Sequence, residues 1–141
     1  MIKVFVSGCY DVVHGGHVEF FKQAKELGDY LIVSFASDEV LLKYKNRKSA
    51  LPMEHKKYLL ENLSMVDKVY SSTNLDDYVF DFKDAFVKEG VNILAVTEDD
   101  KNIEKKRAFC EANNAKLVVL PKSLLFKPIS TTEIRERLLS E

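Results

Sequence analysis

Gly8-Cys9-Tyr10-Asp11-Val12-Val13-His14-Gly15-Gly16-His17 is the stretch on which the reading of this chain turns. The run ahead of it, Ile2 to Ser7, is β-branched and apolar enough for a buried strand, while Val18 to Leu27 carries apolar residues at helical spacing. The quoted residues are therefore a strand-to-helix turn. A helix starting at Gly15 or Gly16 would offer backbone N–H groups and the positive end of its dipole, and glycine lets a phosphate approach the backbone closely. Two imidazoles at the same place add donors. Together they describe a site for a polyphosphate whose charge must be stabilised during reaction. Other readings of the pieces are weaker. Histidines three apart need further ligands to hold zinc, and no Cys or His cluster elsewhere supplies them. No Gly-Lys-Ser/Thr follows, as a Walker loop requires, and the three spaced glycines of a dinucleotide fingerprint are missing.

Outward from the turn, short apolar runs alternate with helical patterns. Strands are predicted at Lys3 to Ser7, Tyr30 to Ala36, Lys68 to Ser71, Asn92 to Thr97 and Lys116 to Leu120. Helices are predicted at Gly16 to Leu27, Pro52 to Leu63, Asp76 to Glu89, Asp100 to Asn113 and Thr131 to Leu139. Nearly continuous apolar strands alternating with helices call for an α/β fold, a doubly wound parallel sheet covered on both faces. Ligands of such sheets bind beyond the carboxyl ends of the strands, where Gly8 to His17 falls. The basic, weakly periodic segment Leu42 to Leu51 reads as a mobile loop.

A chain of 141 residues with 46% hydrophobic content can bury one core, so a single domain spanning 1–141 is expected. Lys and Arg number 21 against 22 Asp and Glu, which leaves no basic field for a nucleic-acid polymer. Cys9 and Cys110 are far apart and outside any paired motif, as suits a reducing compartment. No apolar run reaches membrane-spanning length and no signal-peptide pattern opens the chain, so a soluble cytoplasmic protein with no membrane partner is expected.

Gly8-Cys9-Tyr10-Asp11 and His14-Gly15-Gly16-His17 resemble the signature of the cytidylyltransferase-like nucleotidyltransferases, and Ile129-Ser130-Thr131-Thr132-Glu133-Ile134 resembles their C-terminal Ile-Ser-Thr motif. Ala24 to Asp29, Leu31 to Val33 and Ser37-Asp38-Glu39 are similar to the next strand region of the small bacterial members, including the glycerol-phosphate and heptose-phosphate branches. The resemblance implies a Rossmann-like nucleotidyltransferase fold, CTP or ATP as donor with CTP preferred, a small phosphorylated acceptor, Mg²⁺ bridging the phosphates, and a possible homodimer. It assigns His14 and His17 to the phosphates as catalytic groups, with Lys45 beside them. Gly8, Cys9, Tyr10, Gly16, Ile129, Ser130, Thr131 and Thr132 would bind the nucleotide. Lys43, Arg47, Lys122 and Lys127 would meet phosphate or the second substrate.

Asp11 reads instead as a turn or cap carboxylate, because a bare anion on a triphosphate repels it. Ser130 to Glu133 is also a capping box, a structural account compatible with phosphate binding at the same helix start. Three departures stand out. Ser64 replaces an arginine usual before the Val-Asp dipeptide, the lead into Ile129 is longer, and Thr97-Glu98-Asp99-Asp100 lacks the usual glycine. They leave open the acceptor, the base, and a nucleotide-binding regulatory module with weakened turnover; an interaction domain with incidental histidines is the remaining alternative.

Overall fold

A computed structural model describes residues 1–122 and 129–140. In chain order its elements are β1 (Lys3–Gly8), α1 (Gly15–Lys25), β2 (Tyr30–Ala36), α2 (Asp38–Lys45), α3 (Met53–Glu61), β3 (Lys68–Ser72), α4 (Lys83–Glu89), β4 (Ile93–Thr97), α5 (Ile103–Ala112), β5 (Lys116–Leu120) and α6 (Thr131–Leu139). The strands form one parallel sheet in the order β3-β2-β1-β4-β5. Successive strand residues point to opposite faces, and the core divides accordingly. Val4, Val6, Leu31 and Val33 pack with Phe21 and Ala24 of α1 and Leu60 of α3. Phe5, Ile32 and Leu94 pack on the other face with Phe86 of α4 and Cys110 of α5. Phe5 is wedged between Phe82 and Phe86, with ring centroids 5.5 and 5.4 Å away. All five predicted strands are present, and the sheet is covered on both faces as their unbroken apolar runs require.

The strand pairing explains where the molecule opens. β1 pairs with β2 over its whole length, Lys3 opposite Tyr30 through Gly8 opposite Phe35. With β4 it pairs only at Val4–Ile93 and Phe5–Leu94. Beyond those residues the carboxyl ends of β1 and β4 diverge, at the point where the strand order reverses, which is where doubly wound sheets take ligands.

Two elements differ from the sequence reading. Leu42 to Lys45 is helix rather than loop: Ser37 Oγ caps α2 by accepting from Val40 N at 3.3 Å, Asp38 and Glu39 occupy its first turn, and Lys43 and Lys45 its last. Those charges complement the helix dipole, and Asn46, in the left-handed region at φ 53°, ends the helix before Arg47 and Lys48. The helix predicted from Asp76 begins only at Lys83. Ahead of it Asn74 and Asp77 side chains accept from the backbone two residues on, at 2.9 Å each, and such local bonds compete with helix formation. Among the described residues no helix is long and apolar enough to cross a membrane.

Candidate active site

β1 delivers Gly8 to the carboxyl edge of the sheet, and the chain turns through Cys9 to Val13 into α1. Tyr10 adopts φ 48°, a left-handed conformation unusual for a residue with a side chain. The turn drives its ring inward, where only 7% of the residue is exposed, edge-on to His17 and Phe21 at 5.1 and 5.3 Å. Burial holds its phenol far above the usual pKa, so it stays neutral. Gly8 makes this possible, since a Cβ there would lie 2.8 Å from the Tyr10 ring.

His14 is the N-cap of α1 rather than a residue within it. Its Nδ1 accepts from Gly16 N at 3.1 Å, and His17 Nδ1 accepts from His14 N at 3.2 Å. Gly16 leaves room for the first bond, because a Cβ there would stand 3.0 Å from the His14 ring. An imidazole nitrogen that accepts cannot carry the proton, so both neutral rings hold it on Nε2. The rings stack with centroids 3.8 Å apart. Burial lowers the pKa of His14, and burial with the neighbouring His14 lowers that of His17 to about 4. Both are neutral donors at pH 7. The backbone donors expected at this helix start are largely spent: Gly16 N on the His14 ring, His17 and Val18 N on His14 O at 3.0 and 3.2 Å. The turn thus exchanges backbone N–H groups for two imidazole Nε2–H groups.

These rings face a cleft of about 820 Å³ between the diverging strands, within the usual range for small-molecule sites. Tyr10, His14, Gly16, His17, Lys122 and Ile129, all anticipated from sequence, line it together with Thr97, Asp99, Glu133 and Arg137. Lys122 forms an ion pair with Asp99 at 2.8 Å, which raises its pKa. Ser130 caps α6 by accepting from Glu133 N at 3.1 Å, which places Thr131 and Thr132 in the first turn. Only this half of the capping box forms; the Glu133 side chain faces the cleft instead.

The basic segment is divided. Lys45 Nζ lies 3.4 Å from Cys9 Sγ and over the Tyr78 ring, on the β2 side of the turn. Burial pulls its pKa down, but hydrogen bonds and charge from Tyr78 and Cys9 outweigh this and leave it raised. Lys43 is not brought to the cleft: it donates to Leu75 O at 2.6 Å. Arg47 is ion-paired with Asp11. Lys127 lies outside the described residues.

Asp11 is not the turn cap expected from sequence. Only 2% exposed, it holds Arg47 and, at 3.1 Å, Arg135 of α6 on the same Oδ2. Its burial beside cations decides this, since a charge shielded from water needs partners of opposite sign. Arg135, Arg137, Tyr78 and Lys56 were not found from sequence. Lys56 had a legible signal: with Leu60 it forms the buried stripe of α3, where a hydrophobe was due. Its Nζ donates to Cys9 O at 2.9 Å and sits over Phe35, supporting the turn from beneath, and burial lowers its pKa. Arg135 gave none, since its partner lies 124 positions away.

The donor set bears on the Mg²⁺ that the sequence resemblance implies. Among the described residues no three His, Cys, Asp or Glu side chains gather to hold a metal. Asp11, Asp99 and Asp100 are each paired with a cation, and both histidine Nδ1 atoms are committed to backbone N–H groups. The described residues form no protein cage for such an ion.

The profile of the cytidylyltransferase-like family matches residues 5–137. Glycerol-3-phosphate cytidylyltransferase of Bacillus spizizenii is 32% identical over 141 residues, covering 99% of each chain. FAD synthase of Thermococcus kodakarensis is 46% identical over 72 residues, 51% of this chain and 48% of that one. The lipopolysaccharide core biosynthesis protein from Thermoplasma volcanium GSS1 has the same fold, with a TM-score of 0.69 at 22% identity over 87% of this chain and 97% of that one.

Proposed function

Because this chain belongs to the cytidylyltransferase-like family, we propose that it transfers the cytidylyl group of CTP to the phosphate of a small phosphorylated alcohol or sugar in the cytoplasm. An acceptor phosphate oxygen forms the new bond to the α-phosphorus, and the bond to the departing pyrophosphate breaks; no covalent enzyme intermediate is needed. The observation that carries this reading is the stacked His14–His17 pair, two neutral Nε2–H donors preorganised at the mouth of the cleft. Such donors stabilise charge that grows on phosphoryl oxygens without reorganising as it develops. The positive end of the α1 dipole and Lys45 add to the same field. Ser130 to Thr132 at the start of α6 and Lys122 of the cleft suit the remaining phosphates, and the carboxyl end of β4 suits the nucleoside. Mg²⁺, when bound to the triphosphate, would supply charge neutralisation there.

Full-length similarity to a glycerol-3-phosphate cytidylyltransferase favours CTP and a polyol phosphate. The half-length similarity to FAD synthases supports a second reading, adenylyl transfer from ATP to a flavin phosphate. Pyrophosphate release measured with CTP and ATP against glycerol phosphates, sugar phosphates and flavin mononucleotide separates them. Release with CTP and a polyol or sugar phosphate supports the first reading; release with ATP alone moves the chain to the second. A nucleotide that binds without release in any combination supports a regulatory module instead.

A further inference from the structure

Tyr10 adopts φ 48° in the turn after β1, a conformation that glycine takes freely and a bulky side chain does not. Backbone strain of this kind persists only where the surrounding structure imposes it, and it gathers at ligand sites. Packing accounts for the ring, which belongs to the core cluster of β1, α1 and α3 and lies edge-on to His17 and Phe21. It does not account for the hydroxyl. Among the described residues that oxygen makes no hydrogen bond, and it is not one of the fully enclosed orphan atoms, which are Asp11 Oδ1, Ser34 Oγ and Ser49 Oγ. Tyr10 is buried, and the exposure it keeps is toward the cleft that it lines. A hydroxyl taken out of water without a partner costs stability, and one so placed gains its partner when a ligand fills the cleft.

Its position selects the ligand group. A Cβ on Gly8, the last residue of β1, would stand 2.8 Å from Tyr10 Cζ. The hydroxyl, one bond farther on, therefore sits by the tip of β1, beyond the point where that strand stops pairing with β4. The ring of His17 is 5.1 Å from that of Tyr10, and Ala95 to Thr97 of β4 line the same cleft. In the function proposed above the imidazoles meet phosphate and the end of β4 meets the nucleoside. The group that joins those two parts of a nucleoside triphosphate is the α-phosphate. Burial keeps the phenol neutral, so it offers a donor to an anion without adding a negative charge beside it.

We propose that the Tyr10 hydroxyl is a substrate-binding group of the cleft, donating a hydrogen bond to a non-bridging oxygen of the nucleotide's α-phosphate. The choice of that phosphate rests on the nucleotidyltransferase reading, whereas the binding experiment does not need turnover.

Tyr10→Phe removes the oxygen and keeps the packed ring. Parent and variant are titrated with cytidine, CMP, CTP, their adenosine counterparts and inorganic pyrophosphate, alongside a thermal melt and the split between kcat and KM. A hydrogen bond to a charged group corresponds to about ten- to a hundredfold in affinity. The variant should bind CMP and CTP more weakly by about that factor, or AMP and ATP if the parent prefers adenine, and kcat/KM should fall by at least as much. Nucleoside affinity, pyrophosphate affinity and melting temperature should stay as in the parent. An equal loss with the nucleoside alone would put the hydroxyl on the sugar or base and overturn the α-phosphate assignment. Unchanged nucleotide affinity overturns the proposal, and if the melting temperature falls at the same time the hydroxyl serves the fold instead. If the parent binds nucleotides but releases no pyrophosphate in any combination, the nucleotidyltransferase reading fails while the titrations still decide this one. A parent that binds no nucleotide refutes both.

Discussion

Gly16→Ala separates the stability of the histidine turn from its proposed chemistry. Gly16 is not in the left-handed region, so alanine is allowed there, and in a helix it is favoured over glycine by up to about 1 kcal/mol. The new Cβ, however, stands 3.0 Å from His14 Cε1 and 3.1 Å from its Nδ1, where ordinary contact begins at 3.4 Å. The ring must yield by about 0.4 Å, and because it is stacked on His17 the pair moves together. A misplacement of 1 Å at a reacting centre costs about a hundredfold, so 0.4 Å corresponds to about five- to tenfold in rate. The expected outcome is an unchanged or slightly raised melting temperature with kcat reduced by about that factor, measured by pyrophosphate release and a thermal melt on the same preparation. Full turnover at an equal melting temperature would refute the claim that Gly16 exists to seat the His14 ring.

Other expectations follow from the same contacts. Gly8→Ala places a Cβ 2.8 Å from the buried Tyr10 ring and should destabilise by about 1–3 kcal/mol through overpacking; a denaturant titration indistinguishable from the parent's contradicts this. His17, with a folded pKa of about 4 against 6.5 unfolded, contributes stability that is complete above pH 6.5 and is lost as pH falls toward 4, by at most about 3 kcal/mol. The melting temperature of His17→Asn should therefore fall less steeply than the parent's between pH 7 and 4.5, and parallel curves would show that His17 is not held neutral by the fold. Ser130→Ala should cost about 0.5–2 kcal/mol by removing the α6 cap, whereas Thr131→Ala and Thr132→Ala should weaken CTP binding at nearly constant melting temperature. Threonine variants that bind CTP as the parent does would remove both hydroxyls from the site.

What was legible in the sequence follows from the range of the interactions concerned. The strands announced themselves because residues such as Val4, Phe5 and Val6 are buried on both faces and leave an unbroken apolar run. His14 and His17 were legible because their geometry is made within one turn of chain, each ring closing a bond to a near neighbour. Helix α2 was obscured because its eight residues give little periodicity and its cap, Ser37, precedes a short charged segment. The reason for Gly8 was hidden for another cause: it serves the ring of Tyr10, whose left-handed turn has no one-dimensional signal. Asp11 was misread because its two arginines arrive from positions 36 and 124 residues away. A sequence shows that a buried acid needs a partner only after the burial itself is known.

The most direct measurement of the central claim is transfer of the α-phosphate label of CTP onto the acceptor found in the pyrophosphate screen, followed in parent, His14→Ala and His17→Ala. In the parent, labelled product and pyrophosphate should appear in equal amounts, with no label retained on the protein. Each histidine variant should slow transfer by about a hundred- to a thousand-fold, the scale of one preorganised donor, while still melting cooperatively. Undiminished transfer in either variant, or label trapped covalently on the chain, would contradict the account.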